Sequence, residues 1–120
     1  MADQGFEYRF RAPLGAPGDK GARPPAYRRE IVGGMLIERD VAVTLRDRTV
    51  IYLDLFRPAD GLPVPPLIGW GPYGKHGHTR YSQSFPKADV ADDHLTEYTA
   101  FEAPDPVFWV ANGYAVINVD

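Results

Sequence analysis

Three histidines and two neighbouring acids are the first residues whose types and spacing suggest chemistry. His76 and His78 stand one residue apart, and His94 follows Asp92 and Asp93 directly. Two imidazoles at this spacing can bind zinc when a third and a fourth ligand are held in fixed geometry. Here those further ligands would come from a polar, flexible segment, so solvated loop histidines are the favoured interpretation.

Nucleophilic catalysis by serine is the second chemistry to consider. The only serines, Ser82 and Ser84, lie in the same polar segment, with His94 as the nearest base downstream. A catalytic serine needs an oriented base and, in many hydrolases, a strained G-x-S-x-G turn that exposes its hydroxyl. Neither serine has flanking glycines. The sequence therefore favours no nucleophile among its own serines.

Composition narrows the classes of protein to which the chain can belong. The chain has 120 residues, enough for one small domain, and it contains no cysteine. A disulfide framework, a thiol nucleophile and a thiolate metal site are thereby excluded. A formal net charge of -3 provides no electrostatic reason to expect a nucleic-acid or membrane partner. The first ten residues carry acids and no apolar run, so we expect a soluble, cytoplasmic protein without a signal peptide.

The chain divides into a leading arm and a region of alternating strands. Residues 1–34 are rich in proline and glycine and show no helical or strand period, which predicts an extended arm. Apolar residues alternate in Val41–Leu45, and β-branched and aromatic residues are frequent in Val50–Phe56. Only a short polar break separates the two runs, as in an antiparallel hairpin. Pro65–Trp70 is a third strand candidate.

A helix followed by a strand closes the sequence. Asp105 can cap the helix, Pro106 suits its first position, and Asn112 with Gly113 provides a left-handed stop. The almost wholly apolar run from residue 114 to 119 is typical of a buried parallel strand. Hairpin, strand, helix and strand in this order predict an α/β sheet with an antiparallel start.

The final strand leads to a prediction of truncation. A buried parallel strand needs a neighbour on each edge, and we expect too little chain to remain to supply both. Asp120 would stand at the carboxyl end of that strand, where open α/β sheets place their ligands. The sequence is thus predicted to stop within a domain.

Four motifs, taken in their order along the chain, resemble the N-terminal part of CocE/NonD-type hydrolases. This family has the α/β-hydrolase fold and includes Xaa-Pro dipeptidyl-peptidases (S15-like). The four motifs are Glu38–Asp47, Leu53–Pro58, Gly71–Lys75 and Trp109–Asp120. The resemblance covers roughly residues 35–120 and implies the N-terminal portion of a catalytic domain, ending before the nucleophile. Two positions depart from the family pattern: Arg48 replaces a turn glycine, and Gly71 replaces a small hydroxyl residue before Pro-Tyr.

The resemblance implies a serine hydrolase that cleaves ester or amide bonds, including Xaa-Pro dipeptidyl-type bonds, in small-molecule or peptide substrates without a cofactor. The family's Ser–His–Asp triad lies on later segments, so none of its members can be assigned to a residue of this chain. The family's Pro-Tyr tyrosine donates its hydroxyl to the oxyanion hole, and Tyr73 occupies that position. We expect the 120 residues alone to be inactive. The alternative is a small non-enzymatic interaction module that binds a partner through an exposed sheet edge.

Overall fold

The computed structural model describes residues 25–76 and 85–120, which form one mixed sheet with a single α-helix and a short 3-10 helix. Along the sheet the strand order is β1-β2-β3-β5-β4. Only β4 and β5 run parallel; the other neighbouring pairs are antiparallel. The elements are β1 Arg28–Val32, β2 Met35–Thr44, β3 Val50–Pro58, β4 Pro66–Gly69, the 3-10 helix Asp92–His94, α1 Pro106–Ala111 and β5 Ala115–Val119.

The predicted hairpin is confirmed as β2 and β3, which pair from Thr44 opposite Val50 back to Met35 opposite Pro58. Its turn is closed by hydrogen bonds between the backbones of Leu45 and Thr49 and of Arg48 and Leu45. Arg48 has a φ of 72°, a left-handed conformation in which a side chain is strained. The arginine that replaces a turn glycine therefore adopts the conformation that glycine would adopt more easily.

Strand β1 was not predicted, and it lies inside the range assigned to the arm. It pairs with β2 from Arg28 opposite Arg39 to Val32 opposite Met35. Gly33 and Gly34 make the two-residue turn with φ values of 57° and 81°, as a hairpin of this length requires. Every residue of β1 is exposed. Its sequence therefore lacks the alternation of apolar and polar residues that marks a half-buried strand. The division into an arm over 1–34 and a hydrolase portion over 35–120 stays a prediction, although the sheet already begins at residue 28.

The predicted helix and final strand are both present. The side chain of Asp105 accepts a hydrogen bond from the Phe108 backbone, Pro106 begins α1, and Gly113 ends it with a φ of 83°. Strand β5 then pairs in parallel with β4 and antiparallel with β3. The expectation that this strand would lack neighbours is wrong, because the hairpin folds back and supplies one of them. The argument for truncation from missing partners therefore fails.

The core lies between the sheet and α1. Ile37, Phe56 and Val116 are fully buried there, Met35 and Val110 complete the cluster, and the rings of Tyr98 and Trp109 pack against it. Two large aromatic side chains, Trp70 and Phe108, lie outside this core. Trp70 is 65% exposed beyond the short strand β4, and Phe108 is 59% exposed on the outer side of α1.

One irregularity in β2 matters for the site. The pairing of β2 with β3 shifts between Glu38 and Val41, and Asp40 within this bulge has a φ of 55°. A bulge bends a strand and redirects its side chains. No helix in residues 25–76 and 85–120 has the length and apolar character needed to cross a membrane.

Candidate active site

A buried carboxylate in the centre of the sheet anchors the candidate site. Asp54 on β3 is 1% exposed and lies opposite Asn118 of β5. Its Oδ2 accepts a 2.7 Å hydrogen bond from Nη1 of Arg39, and its Oδ1 accepts a 3.0 Å bond from the backbone N–H of Asp40. The bulge in β2 brings both donors to this carboxylate. A buried charge needs such partners, because leaving it unpaired in the interior costs several kcal/mol.

Lys75 provides the opposing charge from the loop that follows β4. Its side chain is 1% exposed, and its Nζ donates to Asp54 Oδ1 at 3.0 Å and also to Asp40. Burial lowers the pKa of Lys75, but the hydrogen bonds and charges of Asp40 and Asp54 outweigh this effect, and the net pKa is raised above the ordinary value. The ammonium therefore stays charged at neutral pH and cannot serve as a nucleophile or a base.

Asp120 fixes the same loop from the end of β5. Its Oδ1 accepts a 3.1 Å hydrogen bond from the backbone N–H of Lys75, and its Oδ2 lies 3.3 Å from Nε2 of His76. Gly74 has a φ of 68° and approaches so closely that a Cβ there would lie 2.5 Å from Asp120 Oδ1. Glycine is thus favoured at this position by its backbone conformation, and a Cβ there would displace the Asp120 carboxylate that binds the Lys75 backbone.

Tyr73 is carried by this doubly anchored loop, two residues before Lys75. Its ring packs edge-on against Phe101 at 4.6 Å between centroids, and Phe101 in turn stacks on Phe85 at 5.9 Å. The side chain of Tyr73 nevertheless remains 52% exposed. The loop leaves the carboxyl end of β4, beside the end of β5, which is the edge where open α/β sheets bind ligands. The arrangement leaves about half of Tyr73 accessible to solvent, on a loop whose backbone is bonded to Asp120.

Among the residues that the structure describes, the other candidates for chemistry do not assemble into a site. Within residues 25–76 and 85–120, no group of three or more histidine, cysteine, aspartate or glutamate side chains is placed to hold a metal ion. His76 instead lies beside Asp120, and His94 is exposed in the 3-10 helix. His78, Ser82 and Ser84 lie outside the described residues.

Reasoning from sequence missed the charged network beneath Tyr73. Asp54, Asp40 and Lys75 are 14 to 35 residues apart in the chain, and only the strand register and the bulge bring them together. The available signals were a charged residue inside an apolar strand and the placement of Lys75 directly after the Pro-Tyr motif. Asp120 was correctly expected at the carboxyl end of its strand.

Comparison with known structures supports the family resemblance. A crystal structure of SACOL2612, a CocE/NonD family hydrolase from Staphylococcus aureus, matches with a TM-score of 0.60 and 32% identity over 71% of this chain. A second crystal structure of that hydrolase matches with a TM-score of 0.64 and 25% identity over 90% of this chain. The similarity predicted from the four motifs is thereby confirmed.

The matches cover only a small part of those hydrolases. This chain spans 15% of the length of the first hydrolase chain and 20% of the second. No protein-family model matches the sequence, and no protein with a curated description matches it. The shared part is the mixed sheet with its helix.

Proposed function

We propose that this chain is the N-terminal portion of a serine hydrolase domain that cleaves ester or amide bonds, Xaa-Pro dipeptidyl-type bonds among them. The observation that carries the proposal is the position of Tyr73 on an anchored loop, at the edge where open α/β sheets bind ligands, in a sheet similar to that of CocE/NonD hydrolases. The absence of cysteine agrees with a cytoplasmic enzyme.

In the proposed reaction Tyr73 acts on the oxyanion. A serine nucleophile, activated by histidine and aspartate, attacks the carbonyl carbon and drives negative charge onto the carbonyl oxygen. The Tyr73 hydroxyl donates a hydrogen bond to that oxygen as the charge develops. Losing one such donor typically costs a factor of about 10²–10³ in kcat, or about 2.7–4 kcal/mol.

The serine, histidine and aspartate would be supplied by sequence beyond these 120 residues. This part of the proposal is supported by the comparison, since the matched region is at most 20% of the hydrolase chain. The two serines of this chain lack the flanking glycines of a nucleophile turn. We therefore expect the 120-residue chain by itself to hydrolyse nothing.

Burst kinetics with an activated ester test this proposal. The protein expressed from its whole reading frame should release a burst of p-nitrophenol that is stoichiometric with enzyme, as acyl-enzyme formation requires. The 120-residue chain should show none. A burst from the 120-residue chain that disappears in Ser82→Ala or Ser84→Ala would place the nucleophile in this chain and refute the division of labour proposed here.

The exposed edge of the sheet favours a second candidate, a non-enzymatic interaction module. Among the described residues β4 pairs on one side only, and Ile68 and Trp70 at this edge are 60% and 65% exposed. Apolar side chains on an unpaired strand can recruit a partner by strand addition. Absence of any burst from the whole reading frame, together with cooperative melting of a monomeric 120-residue chain, would favour this candidate.

A further inference from the structure

We propose that Lys75 and Asp120 are positioning residues, which hold the Tyr73 hydroxyl where the oxyanion of the substrate develops. Because the role of Tyr73 is itself proposed, this assignment rests on the proposed function. Neither residue is expected to contact substrate. Each would act through the backbone of the loop that follows β4.

The need for an anchor follows from the nature of that loop. Residues 70–76 contain no helix or strand, and Trp70, Pro72 and Tyr73 are exposed. The packing of the Tyr73 ring on Phe101 restrains the ring but leaves the loop backbone to be held by other contacts. An oxyanion donor must lie 2.7–3.1 Å from the oxygen that becomes charged. Misplacement of a catalytic group by about 1 Å can reduce the rate roughly a hundredfold. A loop without anchors would not hold a phenol within that range.

Two independent anchors meet this need at Lys75. Its ammonium lies between the carboxylates of Asp54 on β3 and Asp40 on β2. Its backbone N–H donates a 3.1 Å hydrogen bond to Asp120 Oδ1. Only Gly74 separates this residue from Tyr73. The side chain of Lys75 is therefore held by β2 and β3, and its main chain is held by the residue that follows β5.

Stability alone explains this network poorly. A buried ion pair often contributes little net free energy of folding, because removing both charges from water costs about as much as their attraction returns. Arg39 and the Asp40 backbone already satisfy part of the Asp54 carboxylate from within the sheet. The ion pairs of Lys75 instead fix the path of an exposed loop. A tyrosine that must hold its hydroxyl at a set position requires such a fixed path.

Asp120→Ala is the informative variant. Lys75→Met would leave the partly buried Asp40 carboxylate without its cation and Asp54 with Arg39 alone, and a failure to fold would obscure its effect. Asp120 lies at the surface, so its replacement releases the loop backbone while the buried ion pairs remain. Asp47→Ala is the matched control, because Asp47 also accepts a backbone N–H, that of Thr49, but in the β2–β3 turn.

Ester hydrolysis by the protein from its whole reading frame is the first readout. We expect Asp120→Ala to lower kcat by about tenfold to a hundredfold with KM within about twofold, and Asp47→Ala to leave both unchanged. In a Tyr73→Phe background, Asp120→Ala should cause no further loss, because it acts through the missing hydroxyl. Full additivity of the two losses, or an unchanged kcat in Asp120→Ala, would overturn the positioning role.

Amide hydrogen exchange in the protein from its whole reading frame is the second readout and does not depend on activity. Exchange of the Lys75 amide should accelerate at least about tenfold in Asp120→Ala and stay unchanged in Asp47→Ala. Unchanged exchange in both would show that Asp120 does not anchor the loop. If exchange accelerates but Tyr73→Phe leaves kcat intact, the anchoring stands and the proposed oxyanion role of Tyr73 fails.

Discussion

The backbone N–H of Lys75 donates a 3.1 Å hydrogen bond to Oδ1 of Asp120 and so ties the loop after β4 to the end of β5. The two strands are parallel neighbours, and the bond joins the segments that follow their carboxyl ends. Tyr73 stands two residues before it. The geometry of the candidate site therefore depends on a contact between residues that are 45 positions apart in the chain.

Gly74→Ala is expected to destabilise the protein more than an ordinary glycine substitution does. The left-handed conformation at Gly74 costs an alanine about 1–2 kcal/mol, and the close approach to Asp120 adds to this. We expect a total loss of about 2–3 kcal/mol in the free energy of unfolding, measured by urea denaturation.

Gly61→Ala is the matched control for this prediction. Gly61 has a similar φ of 76°, but a Cβ there would meet nothing within 4 Å. Its substitution should cost only the conformational strain, about 1–2 kcal/mol. Equal losses for the two variants would show that the contact between Gly74 and Asp120 is not tight.

Asp105 is expected to contribute more to stability than a simple helix cap. Its Oδ1 accepts from the Phe108 backbone, while its Oδ2 accepts from the backbone and hydroxyl of Thr96 and from the hydroxyl of Thr99. Asp105→Ala should lower the free energy of unfolding by about 2–3 kcal/mol. Asp105→Asn keeps a cap acceptor and should lose about half as much. A loss below about 0.5 kcal/mol in Asp105→Ala would contradict this role.

Stability should depend on pH on both sides of neutrality. Burial raises the pKa of Asp105, but hydrogen bonds from Thr99 and Thr96 outweigh it, and the net pKa is lowered. Burial also raises the pKa of Asp40, but the hydrogen bonds from Lys75 and the Ala26 backbone, together with the charge of Lys75, outweigh it, and the net pKa is lowered. A carboxyl whose pKa is lowered by folding stabilises the protein above its unfolded pKa of about 3.9 and loses this contribution as pH falls through the folded value.

The pH dependence of stability has the opposite sign for Lys75. Its pKa is raised in the folded protein, so its contribution is complete below the unfolded pKa of about 10.4 and is lost as pH rises through the folded value. Thermal unfolding should therefore give a nearly constant Tm between about pH 5 and pH 9, with a fall beyond each limit. Asp105→Asn should reduce the acid-side fall. A Tm that holds constant down to pH 2 would contradict the assignment.

The parts of the fold that could be predicted are those in which local chemistry and burial agree. The Asp105 cap, Pro106 and Gly113 define α1, and the apolar run after Gly113 defines β5. Strand β1 could not be predicted, because all its residues are exposed and its pairing depends on a turn at Gly33 and Gly34. The neighbours of β5 were also missed, since a strand order cannot be read from periodicity.

The candidate site could be predicted only in part. Tyr73 was found through the family resemblance, and its oxyanion role stays a prediction. The ion network below it depends on the β2 bulge at Asp40, which shifts the pairing of β2 with β3. A bulge leaves no clear mark in a sequence that alternates on both sides of it, so the meeting of Lys75 with Asp54 could not be inferred.

We expect the 120-residue chain to self-associate through the exposed edge of β4, and Ile68→Lys to reduce this self-association. Among the described residues β4 is an edge strand, and Ile68 on it is 60% exposed. A lysine on an edge strand opposes edge-to-edge pairing of sheets. Sedimentation velocity should show fewer oligomers than in the wild type. Val107→Lys, at a 40% exposed position on α1, is the control and should change little; equal effects would indicate that net charge alone is responsible.

The hydrolysis rate of Tyr73→Phe tests the central claim most directly. In the protein from its whole reading frame this change removes one hydroxyl and keeps the ring that packs on Phe101. The proposed oxyanion role predicts that kcat for an activated ester falls by about 10²–10³ while KM changes little. A kcat within about twofold of the wild type would contradict it, because an oxyanion donor cannot be removed without that loss.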